Sequence, residues 1–105
     1  MTLQDYQKQI DDLLQNYETP YWSALSQLAH LTEELGEVAR ALNHKYGDKV
    51  SKPTEEPDDL EGELGDLLFC IICLANSEGV NLEGPLQKTI EKLTNRDKDR
   101  FAKKA

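Results

Sequence analysis

The chain is short and acidic, with 105 residues, 20 acidic and 12 basic side chains and a formal net charge of −8. This length is typical of one domain, so residues 1–105 are predicted to form a single domain. The acidity argues against nucleic acids and membrane surfaces as partners, because these anionic partners bind basic surfaces. The longest apolar run, Leu67 to Ala75, is much shorter than the roughly 20 residues of a membrane-spanning helix.

The only two cysteines, Cys70 and Cys73, lie inside this apolar run. Cysteine pairs in redox and zinc sites normally lie near turns, beside Gly, Pro, aromatic or basic residues. We therefore expect two buried thiols without a disulfide, which is consistent with a reducing, cytoplasmic compartment. The first twelve residues lack the basic start and apolar stretch of a secretory signal.

Hydrophobic periodicity predicts helices throughout the chain and no strands. Thr2 and Asp5 form a capping-box pattern at the first helix, Gly47 and Gly79 follow the second and third helices, and a polar loop is expected between the second and third. The predicted helices are, in chain order, Leu3–Tyr17, Trp22–Tyr46, Asp58–Ser77 and a fourth that Asn81 caps and that continues past, or breaks near, Asn95. Four helices around one core predict an all-α four-helix bundle.

The second and third predicted helices each carry two carboxylates three residues apart. They are Glu34 with Glu37, and Glu63 with Asp66, and this spacing places both members on one helix face. In an antiparallel helix pair the four carboxylates can face each other, where they repel strongly unless a cation lies between them. Oxygen ligands favour Mg²⁺ or Mn²⁺ over Zn²⁺.

The alternative is that these carboxylates are solvated surface acids, as most helical glutamates are. Two features favour a metal site instead. No Lys or Arg occurs between Pro53 and Gln87, so the third helix has no basic partner for its acids. Gly36 and Gly65 lie in the middle of helices, each at a cost of about 1 kcal/mol relative to Ala, which suggests a close backbone approach beside the acids.

The residues Glu33-Glu34-Leu35-Gly36-Glu37, followed by Glu63-Leu64-Gly65-Asp66, resemble a family signature. This signature is the EExxE…ExxD pattern of the MazG-like nucleotide pyrophosphohydrolases, which belong to the all-α NTP pyrophosphatase superfamily. The resemblance extends from about Leu25 to Phe101 and is strongest to the short stand-alone YpjD-type members. It implies Mg²⁺-dependent hydrolysis of nucleoside triphosphates, normal or damaged, to the monophosphate and pyrophosphate, with Mn²⁺ as a substitute and a house-cleaning role.

The same resemblance implies roles for individual residues. Four carboxylates are expected to hold the metal: Glu34, Glu37, Glu63 and Asp66. Glu33 lies about 100° around the helix from Glu34 and is expected either to activate the attacking water or to hold a further metal ion.

Positive charge is concentrated near the end of the chain, where seven of the twelve basic residues lie between Lys88 and Lys104. Lys92, Arg96 and Arg100 recur every four residues, and they are the candidate phosphate-binding residues because Arg forks suit phosphate oxygens. The alternative is a solvated helix face with cations near a helix C-terminus.

Trp22 and His30 precede the acidic signature. Trp22 could stack on a base, but a Trp in the core or an interface and a partly buried His are the commoner situations.

The apolar run Leu67–Ala75 covers every side of its helix, so this helix is expected to be buried all round. Self-association into a homodimer or homotetramer would provide that burial.

Two other functions stay open at this point. One is a pyrophosphohydrolase of the same fold with a special substrate, such as phosphoribosyl-ATP or a deoxyuridine nucleotide. The other is a catalytically silent helical dimer that binds a nucleotide or a partner protein.

Overall fold

Four α-helices and one π-helical turn form the regular structure of residues 1–55 and 57–105, which the computed structural model describes. These residues contain no strand. The elements are α1 Leu3–Leu14, α2 Ala24–Tyr46, α3 Leu60–Ser77, α4 Glu83–Glu91 and the π-helical turn Lys92–Arg96. The predicted all-α fold with four helices is confirmed.

The predicted capping box at the start of α1 is confirmed. The Asp5 backbone N–H donates to Thr2 Oγ1 at 3.1 Å, and the Thr2 backbone N–H donates to Asp5 Oδ2 at 2.9 Å. α1 ends at Leu14, three residues before the predicted Tyr17. The Asn16 side chain donates to the Leu13 carbonyl at 3.1 Å, which satisfies a terminal carbonyl of the helix.

α2 and α3 each begin two residues later than predicted, because a side chain caps each N-terminus. Ser23 Oγ accepts from the Ser26 N–H at 3.3 Å, and Asp59 Oδ1 accepts from the Gly62 N–H at 3.0 Å. Gly47 is the C-cap of α2, as predicted. After α3, Gly79 has a φ of +70°, a left-handed conformation that glycine adopts without a steric penalty.

The fourth helix does not continue regularly to the end of the chain. α4 ends at Glu91, and the Asp97 N–H then donates to the Lys92 carbonyl at 2.8 Å, a spacing of five residues. Of the two alternatives for this helix, continuation past Asn95 or a break near it, the structure shows the break, since Asn95 lies in the π-helical turn Lys92–Arg96.

α3 is the central element, and both α1 and α2 pack against it. A buried amide network joins α1 to the end of α3: Gln7 Nε2 donates to Asn76 Oδ1 at 3.1 Å and to the Val80 carbonyl at 2.9 Å, and Gln7 Oε1 accepts from the Leu82 N–H at 2.9 Å. The buried residues are Gln7, Gln27, Val38, Ala41, Cys70, Ile72 and Ala75.

Much apolar surface stays exposed in the single chain. Leu64 and Leu68 of α3 are about half exposed, at 49% and 51%, so α3 is not buried all round within the single chain. Its burial through self-association stays a prediction. α4 contains no buried residue. The radius of gyration is 17.5 Å, compared with about 13 Å for a compact domain of this size.

Among the described residues, no helix has the length and apolar character needed to cross a membrane.

Candidate active site

Three carboxylates meet where α2 packs against α3. One carboxylate oxygen from each of Glu34, Glu63 and Asp66 lies within 4.8 Å of the others. We call these three residues the carboxylate cluster. Glu34 and Glu63 are half-buried, whereas Asp66 is exposed. Oxygen ligands at this separation fit a hard divalent cation such as Mg²⁺ or Mn²⁺.

The surroundings of Glu63 disfavour its charged form. The pKa of Glu63 lies above its ordinary value, first because burial disfavours the charged form and then because Glu37, Asp66 and Glu34 repel it. A bound cation would offset both effects, since its positive charge favours ionised carboxylates. The electrostatics of the cluster therefore fit a metal site.

Glu37 lies near the cluster but outside the group of three. Its Oε2 accepts from Arg40 Nε at 3.2 Å and lies 3.0 Å from Arg40 Nη2. Glu33 is exposed on the neighbouring side of α2. The structure thus brings three of the four predicted metal ligands together, and it places the fourth in an ion pair beside them.

Arg40 connects Glu37 to the segment between α2 and α3. Its Nη1 donates to Glu55 Oε2 at 3.1 Å. Close by, His44 Nδ1 lies 2.8 Å from Asp58 Oδ2, and the His44 side chain is only 4% exposed. These contacts hold part of the segment against α2, and Glu56 of the predicted loop lies outside the described residues.

Arg40 and His44 are not among the site residues predicted from the sequence. The spacing of three residues between Glu37 and Arg40 was an available signal for a helical ion pair. No such signal identified Glu55 as the partner of Arg40 or Asp58 as the partner of His44, because these contacts depend on the path of the connecting segment.

His30 links the carboxylate cluster to an aromatic neighbour. Its Nε2 lies 3.2 Å from Glu34 Oε1, and its Nδ1 lies 3.5 Å from Cys70 Sγ. The Trp22 and His30 rings have centroids 5.2 Å apart, at an angle of 50°. Trp22 itself is 56% exposed, so it is a surface residue beside the site in the single chain.

An open cavity of about 430 Å³ lies on this side of the site. His30, Trp22 and Cys70 line it, together with residues of α1, α3 and the connection between α1 and α2, among them Leu13, Leu14, Tyr21, Gln27, Phe69 and Cys73. Both cysteines are free, as predicted. Burial raises the pKa of Cys70 and raises that of Cys73 to about 11, so both thiols are protonated at neutral pH and contribute mainly apolar surface.

The predicted phosphate-binding residues lie on the exposed C-terminal segment. Arg96 pairs with the adjacent Asp97 at 3.2 Å, and the Arg100 guanidinium lies 5.6 Å from the ring centre of Phe101. Lys92 is exposed at the start of the π-helical turn. Within the described residues, no hydrogen bond or ion pair joins these three side chains to the carboxylate cluster.

The two mid-helix glycines do not mark a close approach in the single chain. A Cβ atom built on Gly36 or on Gly65 would have no atom of a described residue beyond its own helix within 4 Å. The expected backbone contact beside the acids is therefore wrong for the chain alone.

Comparison with known proteins identifies the class to which this fold and cluster belong. Residues 23–101 match the MazG nucleotide pyrophosphohydrolase domain, and this segment contains the cluster, α2, α3 and α4. The chain therefore belongs to the MazG nucleotide pyrophosphohydrolase family.

Individual relatives support this assignment. The chain is 44% identical over 103 residues to the uncharacterized protein YpjD of Bacillus subtilis (strain 168), covering 98% of this chain and 93% of YpjD. It is 31% identical over 102 residues to YvdC of the same organism, covering 91% and 96% of the two chains.

Solved structures agree with the sequence relatives. The crystal structure of YpjD from Bacillus subtilis superposes with a TM-score of 0.78 at 42% identity, covering 88% of this chain and 94% of that chain. The crystal structure of the Bacillus-conserved MazG protein, a nucleotide pyrophosphohydrolase, superposes with a TM-score of 0.78 at 41% identity, covering 94% and 96%.

Proposed function

We propose that this protein hydrolyses nucleoside triphosphates, normal or damaged, to the monophosphate and pyrophosphate with Mg²⁺ as its metal. The convergence of Glu34, Glu63 and Asp66 in a MazG family member is the observation that carries this proposal. Removal of unwanted nucleotides, a house-cleaning role, follows from such an activity. Residues 1–105 act as one domain, since α1 packs against α3 of the matched segment.

In the proposed site, Glu34, Glu63 and Asp66 hold the divalent cation, and Mn²⁺ can replace Mg²⁺ because both prefer oxygen ligands. The bound cation supplies stabilisation of negative charge on the phosphates. Glu37 is the fourth proposed ligand. Its carboxylate breaks the ion pair with Arg40 when it turns toward the cluster. Arg40 then keeps Glu55 as its partner.

Glu33 is the proposed catalytic base. Its carboxylate is exposed next to the cluster and can take a proton from the attacking water. The water oxygen forms a bond to the α-phosphorus, the bond from that phosphorus to the bridging oxygen breaks, and pyrophosphate leaves. Lys92, Arg96 and Arg100 are the proposed phosphate-binding residues, because their exposed charges are available to a polyanion.

The base of the nucleotide is proposed to occupy the cavity beside the cluster. His30 lines this cavity, and its Nε2 lies 3.2 Å from Glu34 Oε1, so the two sites adjoin. A nucleotide with its phosphates at the cluster can therefore place its base among the apolar walls, with the Trp22 ring available for stacking. The volume of about 430 Å³ is in the range of small-molecule sites.

Self-association into a homodimer or homotetramer is part of the proposal. Exposed Leu64 and Leu68 on α3, and Leu86 and Ile90 on α4, leave apolar surface that a second copy would cover. The large radius of gyration supports the same conclusion, since a second copy would fill the space that the single chain leaves open. The thiols without a disulfide favour a cytoplasmic location.

The test is release of monophosphate and pyrophosphate from a panel of normal and modified (d)NTPs, with Mg²⁺ and with EDTA. We expect metal-dependent release that falls at least about 100-fold in Asp66→Asn, because the variant loses a charged ligand. Glu61→Gln is the matched control, since Glu61 is an exposed acid on α3 outside the cluster.

The outcomes separate the remaining functions. Release from phosphoribosyl-ATP or a deoxyuridine nucleotide alone would identify a special substrate. Nucleotide binding without release from any triphosphate would overturn the proposed hydrolysis and indicate a silent nucleotide-binding dimer. Equal loss in Asp66→Asn and Glu61→Gln would contradict the assigned site.

A further inference from the structure

The carboxylate cluster has little positive charge around it in the single chain. Lys92, Arg96 and Arg100 lie on the exposed C-terminal segment, and within the described residues no hydrogen bond or ion pair joins them to the cluster. A nucleoside triphosphate is a polyanion, so it needs positive charge close to an acidic site. Arg40 of α2 supplies such a charge beside the cluster.

Arg40 lies close enough to the cluster to act on it electrostatically. Burial, and then the charge of Glu37, raises the pKa of Glu63, whereas the positive charge of Arg40 lowers the pKa of the same carboxyl. The Arg40 side chain is 34% exposed, so part of it is accessible to solvent. Arg40 therefore combines proximity to the acids with partial exposure.

The two sides of the Arg40 guanidinium have different partners. Nε and Nη2 lie 3.2 Å and 3.0 Å from Glu37 Oε2, whereas Nη1 donates to Glu55 Oε2 at 3.1 Å. Glu55 is itself held in place, because its Oε1 accepts from the Lys52 N–H at 3.2 Å. The Nη1 side of the guanidinium is therefore anchored to the segment between α2 and α3 without the help of Glu37.

The proposed movement of Glu37 toward the cluster changes only one side of the guanidinium. Once Glu37 has turned, Nε and Nη2 have lost their acceptor, while Nη1 keeps its hydrogen bond to Glu55. The Nε and Nη2 protons then form a pair of donors that matches two oxygens of a phosphate group. The Glu37 side chain is 45% exposed, so its departure leaves this pair of donors open to solvent.

We infer that Arg40 is a phosphate-binding residue of this site, which binds a phosphate group of the substrate through the Nε and Nη2 donors that Glu37 vacates. This inference rests on the proposed function, because Glu37 leaves Arg40 when it serves as the fourth ligand. The ion pair between Glu37 and Arg40 is then a resting arrangement that keeps the acid from the cluster and the cation from the substrate. One movement of Glu37 makes both groups available.

The test measures two ligands by titration calorimetry, Mg²⁺ alone and inorganic pyrophosphate in saturating Mg²⁺. Arg40→Gln removes the charge and the paired donors. It should leave the affinity for Mg²⁺ unchanged or raise it, because Glu37 is then free to turn. It should weaken pyrophosphate binding and lower kcat/KM for triphosphates, each at least about tenfold, since a charge-assisted contact is lost. A purely structural role of Arg40 would weaken the binding of both ligands.

Two further variants serve as controls. Lys45→Gln is the matched control, because Lys45 is an exposed cation on the same helix and its loss changes the net charge equally. It should bind pyrophosphate as the wild-type protein does. Arg40→Lys keeps the charge without the paired donors, so it should bind pyrophosphate more weakly than the wild-type protein. This variant decides the question if Arg40→Gln does not fold.

Wild-type affinity for pyrophosphate in Arg40→Gln would overturn the inference, and so would equal weakening in Arg40→Gln and Lys45→Gln. Parallel weakening of Mg²⁺ and pyrophosphate binding would also overturn it, as would a wild-type protein that binds Mg²⁺ but no pyrophosphate. Full kcat/KM for triphosphates in Arg40→Gln would remove the inference and leave the proposed function intact. If the wild-type protein binds no Mg²⁺ and hydrolyses no triphosphate, the proposed function and this inference fail together.

Discussion

The α2–α3 pair and the segment from α4 onward differ in how far their apolar residues are buried. α2 and α3 contain the buried Val38, Cys70 and Ile72, and their packing brings the carboxylate cluster together. α4 and the π-helical turn contain no buried residue, and their apolar side chains Ile90 and Leu93 are about half exposed. The single chain therefore brings the carboxylate cluster together and leaves the proposed phosphate-binding segment without tertiary support.

This difference has a chemical consequence. Carboxylates that repel one another need helix packing to hold them close, and that packing is provided within one chain. Exposed cations need no such support to attract a polyanion. A second copy is proposed to organise the basic segment, because its apolar residues have no cover within the described chain.

The largest expected effect comes from matched Ile→Ala substitutions in the two regions. Ile72 is 3% exposed, so Ile72→Ala should lower the free energy of unfolding by about 3 kcal/mol. Ile90 is 51% exposed, and Ile90→Ala should cost under about 0.5 kcal/mol in chains kept apart by dilution. Urea unfolding over a range of protein concentrations measures both values.

The same experiment checks the proposed self-association. At high concentration the wild-type protein should gain stability, and Ile90→Ala should lose part of this gain because α4 lies in the proposed interface. A large loss for Ile90→Ala at every concentration would show that α4 is packed within its own chain, which contradicts the comparison.

Metal binding should give the next largest effect. Mg²⁺ at 100 times its Kd should stabilise the folded protein by about 2.7 kcal/mol, because the folded cluster binds the ion and the unfolded chain does not. The rise in Tm should be lost in Glu63→Gln and kept in Lys92→Gln, since only Glu63 belongs to the cluster. An equal rise in all three proteins would mean that the ion binds elsewhere, and NaCl at matched ionic strength is the control.

The smallest effect is a loss of stability at alkaline pH through Tyr21. Burial, followed by the hydrogen bond to Asp11, raises the pKa of Tyr21 to about 12 from its ordinary 10.0. Its contribution to stability is complete below pH 10 and is lost as pH rises from about 10 to about 12, because the unfolded chain ionises first. Tyr21→Phe should flatten this part of the stability profile, measured by urea unfolding. An identical slope in the variant would assign the loss to other groups.

Several local features followed from sequence because they depend on residues close together in the chain. The capping box at Thr2 and Asp5 and the end of α2 at Gly47 both match the structure. The starts of α2 and α3 were placed two residues early, at Trp22 and Asp58, because hydrophobic periodicity does not identify the capping side chain.

Part of the carboxylate arrangement could also be predicted from the sequence. The spacing of Glu63 and Asp66 indicated a shared face, and both carboxylates lie close to that of Glu34 in the structure. Their role as metal ligands stays a prediction. The pairing of Glu37 with Arg40 was not anticipated, although the spacing of three residues permits a helical ion pair. The buried Oε1 of Gln27, which has no hydrogen-bond partner among the described residues, has no signal in sequence at all.

The amino-acid sequence by itself therefore determined the number of helices, the capping box of α1 and the carboxylates of the EExxE…ExxD pattern, because these depend on spacing along one chain. Only the tertiary structure decided which carboxylates meet, where the cavity lies and which amide remains unsatisfied, because these depend on the packing of α1 and α2 against α3. Burial changes the cost of a polar atom, and burial is set by distant residues. Gln7 and Gln27, the same residue type at the same exposure, differ in their hydrogen bonds because different distant groups surround them.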